Sequence, residues 1–153
     1  YSDNITTSKG KQNCSDIGFG HWFWQRKATT WVPGTRAPLV VPFSCQVKDL
    51  IKARNILFIK GDMTLYNKNN HRHPVHIDIG DVPYSYYTSF LYVNDSDGDT
   101  LLFNEPFPSK KYTIKERISP KPNRLVVFEG HHAHTGHSPS KHKSRIIINS
   151  NYR

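Results

Sequence analysis

Downstream of Asn55 the chain settles into short apolar runs separated by polar, turn-forming clusters. The runs cover residues 56–59, 63–66, 75–79, 86–93, 100–103, 112–118, 124–128 and 145–148. Between them stand Gly61-Asp62, Asn67-Lys68-Asn69-Asn70, Asp95-Ser96-Asp97-Gly98 and the stretch 106–111. Runs this short, rich in β-branched and aromatic residues and bounded by such turns, predict strands. Only 44–55 carries a helical pattern, with Val47, Leu50 and Ile51 on one face and Ser44 placed to cap it. Further upstream, Trp22, Phe23, Trp24 and Trp31 crowd the segment 21–31 and predict a packed strand, whereas residues 1–20 read as irregular polar chain. Many short strands without intervening helices indicate a mainly β fold, a sandwich or barrel with one or two flanking helices. A doubly wound α/β sheet is disfavoured for the same reason.

At 153 residues the expectation is a single domain, 1–153, with 1–43 as an N-terminal flank and 56–153 as the core. An apolar fraction of 36% is modest, but 12% aromatics argue against disorder. No run approaches the roughly 18 apolar residues of a membrane span, and no signal-peptide pattern opens the chain. A cytoplasmic location follows as an expectation, with no membrane partner. The two cysteines, Cys14 and Cys45, are read as isolated thiols rather than a disulfide. Lys and Arg number 21 against 12 Asp and Glu, a net +9 that favours anionic partners, nucleic acid among them. The lysines are scattered, so the charge selects no function.

Nine histidines are many for this length, and most are read as ordinary surface or loop residues: His71, His73, His131, His132, His137 and His142. The stretch His76-Ile77-Asp78 differs. Residues two apart on a strand share a face, so imidazole and carboxylate project together and can converge on one ion. His134 follows the strand ending Phe128-Glu129-Gly130 and would complete a set of two histidines and one carboxylate. Such a facial triad leaves three metal positions open, as non-haem Fe(II) oxygenases require. A structural zinc site would need a fourth protein ligand.

From Tyr66 to about Tyr152 the chain resembles the Fe(II)/2-oxoglutarate oxygenase superfamily, and within it the prolyl-4-hydroxylase-like branch with its short phage and bacterial members. The likeness rests on Tyr66 eleven residues ahead of Ile77, then His76-Ile77-Asp78, then Phe90-Leu91-Tyr92-Val93-Asn94. It continues through Gly98-Asp99-Thr100-Leu101-Leu102-Phe103, similar to the family's Gly-Gly-Glu-Thr-x-Phe, and through the run from Pro120 to Phe128. Two departures stand out: Asp97 precedes Gly98 where a second glycine is usual, and Ile147 replaces a common serine two residues after Arg145.

The resemblance implies a double-stranded β-helix, or jelly roll, with iron held by His76, Asp78 and His134. His134 is chosen over His132, the second choice, by its ten intervening residues before Arg145. Arg145 would pair with the distal carboxylate of 2-oxoglutarate, with Tyr66 and Tyr92 helping to hold that cosubstrate. Asn149, on the same strand face as Arg145, would add a polar contact. The implied reaction consumes O2 and 2-oxoglutarate and releases succinate and CO2, with ascorbate in a supporting role. Since related halogenases lack the carboxylate ligand, Asp78 favours hydroxylation, with a peptide or protein side chain, proline among them, as substrate. Two alternatives stand beside it: a nucleic-acid oxidative demethylase of the same superfamily, and a non-catalytic jelly-roll binding module.

Overall fold

The structure, a computed structural model, describes residues 18–27, 30–34, 36–80 and 82–153. Nine strands and one α-helix follow in the order β1 (Gly18–Lys27), β2 (Thr30–Pro33), α1 (Val41–Leu50), β3 (Ile56–Leu65), β4 (Tyr87–Tyr92), β5 (Thr100–Pro106), β6 (Ile114–Ile118), β7 (Leu125–Glu129), β8 (His132–Gly136) and β9 (Ser144–Tyr152). They form a six-stranded sheet, β2-β1-β3-β9-β4-β7, and a three-stranded sheet, β6-β5-β8, with every pairing antiparallel. The two sheets make a jelly roll. No helix among the described residues is long and apolar enough to cross a membrane.

Alternation decides what lies between the sheets. Phe90 and Tyr92 of β4, Leu102 of β5, Ile118, Phe128 and Ile147 pack as one buried cluster joining the two. On the other face of the small sheet, Leu101, Phe103 and Ala133 form a second cluster, covered by Val75 and Tyr112. Helix α1 lies against β3 and the outer face of the large sheet, where the buried Ser44 hydroxyl meets Ser150 Oγ at 3.1 Å.

Several local expectations are corrected. Gly61-Asp62 is not a turn, because β3 runs straight through it, paired with β1 on one side and β9 on the other. The glycine there makes room for Phe23, whose Cε2 would stand 2.9 Å from an added Cβ. The helix begins at Val41 with Pro42 in its first turn, so Ser44 is not its cap. Residues 18–20, expected to be irregular, open β1. The predicted strand at 75–79 is reduced to one isolated bridge from His76 to His134, and a second bridge joins Arg72 to His137 on the other side of Pro74, which has no N–H to extend a ladder. Strand β8 was not anticipated. Cys45 is a free thiol, and Cys14 lies outside the described residues, as do the side chain of Trp31 and residues 1–17 of the predicted flank.

Candidate functional site

His76 and His134 face each other across an antiparallel bridge in which each backbone N–H donates to the other's carbonyl, at 3.0 and 2.9 Å. That bridge brings the two imidazoles together with centroids 4.6 Å apart and ring planes tilted by 56°. Asp78 follows two residues on, and one ligand atom from each of the three lies within 4.8 Å of the others. Nδ1 of His76 lies 3.0 Å from the Pro74 carbonyl, and Nδ1 of His134 lies 2.9 Å from the His132 carbonyl. A carbonyl only accepts, so each Nδ1 carries the proton and each Nε2 offers its lone pair. Those Nε2 atoms stand 3.8 and 3.6 Å from Asp78 Oδ1.

His134 is buried, with its ring wedged edge-on against Phe90 and Phe128 at 5.6 and 5.3 Å, and its Nε2 has no hydrogen-bond partner. A buried, unpaired ring nitrogen aimed at a carboxylate and a second imidazole is a costly arrangement for the empty protein, and a cation removes the cost. Two imidazoles and a carboxylate suit Fe(II). Among the described residues, no other group of three His, Cys, Asp or Glu converges in this way.

The other oxygen of Asp78 is occupied by the protein. Oδ2 accepts from Asn151 Nδ2 at 3.1 Å, from Asn149 Nδ2 at 3.3 Å, and lies 3.2 Å from Thr88 Oγ1. The single proton of Thr88 goes to the nearer acceptor, Asn151 Oδ1 at 2.8 Å, and Asn151 Nδ2 also reaches Asn149 Oδ1 at 3.1 Å. Burial opposes ionisation of Asp78, but the neighbouring His134 and His76 and the Asn151 amide outweigh it and hold the carboxyl well below the ordinary carboxylate range. His76 is pulled below its usual value by burial and by His134.

Along β9, Arg145, Ile147, Asn149 and Asn151 share the inward face, so Arg145 sits about 13 Å of strand from the residue that touches Asp78. Its guanidinium is buried and folds back across the small sheet. Nη2 donates to Thr100 Oγ1 at 2.7 Å, and a Cβ on Gly136 would come 3.3 Å from both Cζ and Nη1. Gly136 stands two residues from His134 on β8, which brings the cation to the triad's cavity. Among the described residues no carboxylate pairs with Arg145, and its Nε is buried without a partner. Tyr92 donates to the same Thr100 oxygen at 2.7 Å, and its ring lies 5.7 Å from the guanidinium carbon. Because Thr100 Oγ1 accepts twice, its own proton is left to donate. Burial lowers Arg145 from its ordinary value, and the Tyr92 phenol beside it works the other way.

The residues expected from the sequence are thus brought together with one exception. His76, Asp78, His134 and Asn149 meet at the triad and Arg145 and Tyr92 meet at Thr100, all between the two sheets, whereas Tyr66 is 56% exposed and lines a surface hollow with Leu65, Lys141, His142 and Lys143. His132 places its Nε2 3.3 Å from Lys115 Nζ on the exposed side. Thr88, Thr100 and Asn151 were not anticipated as site residues; an Asn two residues beyond Asn149, on the same face, was the available signal for Asn151.

A jelly roll carrying two histidines and a carboxylate around a buried cavity, with an unpaired arginine deeper in, has the architecture of a mononuclear non-haem iron enzyme. The comparisons agree. The model of the 2OG-Fe(II) oxygenase superfamily matches residues 61–153, and the chain belongs to that family, whose members use Fe(II) and 2-oxoglutarate. No curated protein matches the chain. Among solved structures, an oxidoreductase of the 2OG-Fe(II) oxygenase family from Burkholderia pseudomallei superposes with TM-score 0.64 at 12% identity, over 88% of this chain and 65% of that one. A Trichoplax adhaerens prolyl hydroxylase, in complex with a hypoxia inducible factor peptide fragment, gives 0.62 at 16%, over 88% and 62%. A Pseudomonas putida prolyl-4-hydroxylase gives 0.50 at 14%, over 90% and 72%. The likeness at such identities is one of fold, and the chain spans under two thirds of the first two.

Proposed function

We propose that His76, Asp78 and His134 hold Fe(II), that Arg145 and Thr100 take the distal carboxylate of 2-oxoglutarate, and that the enzyme hydroxylates an amino-acid side chain carried on a peptide or protein, proline foremost. One juxtaposition carries this reading: a buried guanidinium without a counter-ion, two residues along β8 from a buried imidazole nitrogen without a partner. A cation takes the imidazole lone pair, and a dianion that chelates that cation through one end brings a carboxylate to the guanidinium at the other. The peptide part is supported by the fold shared with the two prolyl hydroxylases, one of which holds a peptide.

Bound iron and cosubstrate supply the dioxygen chemistry, in which one oxygen atom enters a substrate C–H bond and the other enters succinate as CO2 departs. The chain's own residues set the stage for it. The carbonyls of Pro74 and His132 fix the imidazole tautomers. Asn149 and Asn151 hold Asp78 Oδ2, leaving Oδ1 to face the metal. Arg145 would neutralise the distal carboxylate, and the Thr100 hydroxyl would donate to it. Phe90, Phe128 and Ile147 keep the inner wall dry. His76, about half exposed at 49%, marks the open side through which substrate arrives.

The test is incubation of the Fe(II)-loaded protein with 2-oxoglutarate, O2 and pools of prolyl peptides, alkylated oligonucleotides and free amino acids, followed by mass spectrometry. The reading expects the mass gain of one oxygen atom on a peptide. Loss of an alkyl group from the oligonucleotide, with peptides untouched, would transfer the activity to nucleic acid.

A further inference from the structure

On the inward side of β3, Lys60 Nζ lies 2.6 Å from Asp62 Oδ1. The β3–β9 register fixes which way the pair points, since residues directly opposed in an antiparallel ladder share a face. Lys60 stands opposite Asn149, whose amide reaches Asp78, and Asp62 stands opposite Ile147 in the inter-sheet core. Asp62 is near enough for its charge to bear on both His76 and Arg145. The pair therefore lies on the inward face of the large sheet, beside the triad.

That face continues onto β1. Gly20 lies beneath the pair, where a Cβ would come 2.9 Å from Lys60 Cε and 3.3 Å from Asp62 Oδ1. Trp22, opposite Lys60, brings its ring centroid to 5.7 Å from Nζ and packs edge-on against Phe58 at 5.4 Å. With side-chain exposures of 22% and 27%, both charges remain in reach of whatever enters. A single ion pair so placed contributes little to stability. With the pair closed, the ammonium retains two N–H donors, and Asp62 Oδ2 has no partner among the described residues.

A donor and an acceptor side by side match one residue of an extended peptide, whose N–H and C=O project to the same edge. A free amino acid would have to break the pair to place its carboxylate on Lys60 and its ammonium on Asp62. Resting on the peptide-hydroxylase reading above, we propose that Lys60 and Asp62 grip the main chain of an extended peptide beside the residue oxidised. Lys60 donates to a substrate carbonyl and Asp62 accepts from a substrate N–H, while Trp22 packs against the adjoining side chain. The pair is the specificity element that makes this a chain-directed oxygenase and not one for free amino acids.

The probes are acetylated, amidated hexapeptides with a central proline and varied flanks, bound anaerobically to the protein with Fe(II) and 2-oxoglutarate, together with free proline. Lys60→Met and Asp62→Ala should each weaken binding of the best peptide about tenfold, the size of a lost hydrogen bond to a charged group. The loss should appear in KM with kcat within about twofold, and Lys60→Arg should recover most of it. N-methylation scanned along that peptide should find one N–H whose loss weakens binding about tenfold to the unaltered protein and no further to Asp62→Ala. Free proline bound more tightly than capped peptides, or a methylation scan with no position coupled to Asp62, would overturn the proposal. Succinate formed without any peptide reports separately on iron and cosubstrate. Its absence sinks the peptide-hydroxylase reading and this proposal together, whereas its presence with peptide binding indifferent to Lys60 and Asp62 sinks this proposal alone.

Discussion

Asn151 holds Asp78 through a single 3.1 Å hydrogen bond from its Nδ2 to Oδ2, made from a position with no solvent exposure. The bond turns the carboxylate so that only Oδ1 looks toward the histidines. Replacing Asn151 by Ala leaves Asp78 with Asn149 and strips Thr88 of its nearer acceptor. Metal affinity should fall about 10–100-fold, as for other partners that orient a metal ligand. The metal-free protein should also lose about 1–3 kcal/mol, because buried polar groups go unpaired. Isothermal titration with Fe(II) and thermal melts of the metal-free protein check the two parts independently; an unchanged affinity would mean that the clamp does not position the ligand.

Arg145 and its seat should govern the cosubstrate alone. Arg145→Met removes the one buried Lys or Arg among the described residues and should raise the KM for 2-oxoglutarate by at least about 100-fold, the cost of leaving a buried charge unpaired. Thr100→Val removes the donating hydroxyl and with it the acceptor shared by Arg145 Nη2 and Tyr92, so it should raise the KM about tenfold and also cost stability. Gly136→Ala pushes a methyl to within 3.3 Å of the guanidinium and should raise the KM several-fold with a mild loss of stability. Gly130→Ala is the contrast. Its Cβ would fall 2.0 Å from the Tyr86 ring, far from Arg145, so it should destabilise the fold strongly. Steady-state kinetics beside thermal melts separate the two glycines.

A second buttress is sensitive to acid. Asp97 accepts from the Ser140 hydroxyl and N–H, from the Lys141 and His142 N–H groups, and from His142 Nδ1, tying the β4–β5 turn to the segment that leads into Arg145. Partial burial pushes the carboxyl up, but these donors, His142 and Ser140 first, win and hold it well below the ordinary range. A carboxyl depressed in the folded state stabilises above its unfolded value of about 3.9, and that stability is lost as pH falls from there toward the folded value. Asp97→Asn should therefore cost about 1–2 kcal/mol at pH 7 and progressively less below pH 4. Melting temperatures across that range test it; a variant equally destabilised at pH 3 and pH 7 would contradict the latch.

How much of this was written in the sequence depends on what each strand faces. Strands β4 and β7 were legible because their inward positions are largely apolar or aromatic, and the start of β9 through its run of isoleucines, Ile146-Ile147-Ile148. Strand β8, His132-Ala133-His134-Thr135-Gly136, was not. Its inward face carries a site imidazole and the glycine under Arg145, so only Ala133 signals a core. His76 and Asp78 were legible as a pair although their segment is not a regular strand, since a bridge to His134 does the work a ladder would have done. Thr88, Thr100 and Asn151 went unseen because buried polar residues show their purpose only through partners distant in sequence. Tyr66 illustrates the converse: ordering along the chain placed it with the cosubstrate, while the end of β3 leaves it at the surface.

The central claim, that these three side chains make the working iron site of a 2-oxoglutarate oxygenase, is tested most directly by succinate release. Purified protein supplied with Fe(II), 2-oxoglutarate and O2 should form succinate slowly even without a prime substrate. Asp78→Ala and His134→Ala should each abolish both that release and stoichiometric Fe(II) binding while remaining folded. Protein that binds one Fe(II) yet forms no succinate, or an Asp78→Ala variant that forms it at the unaltered rate, would contradict the account.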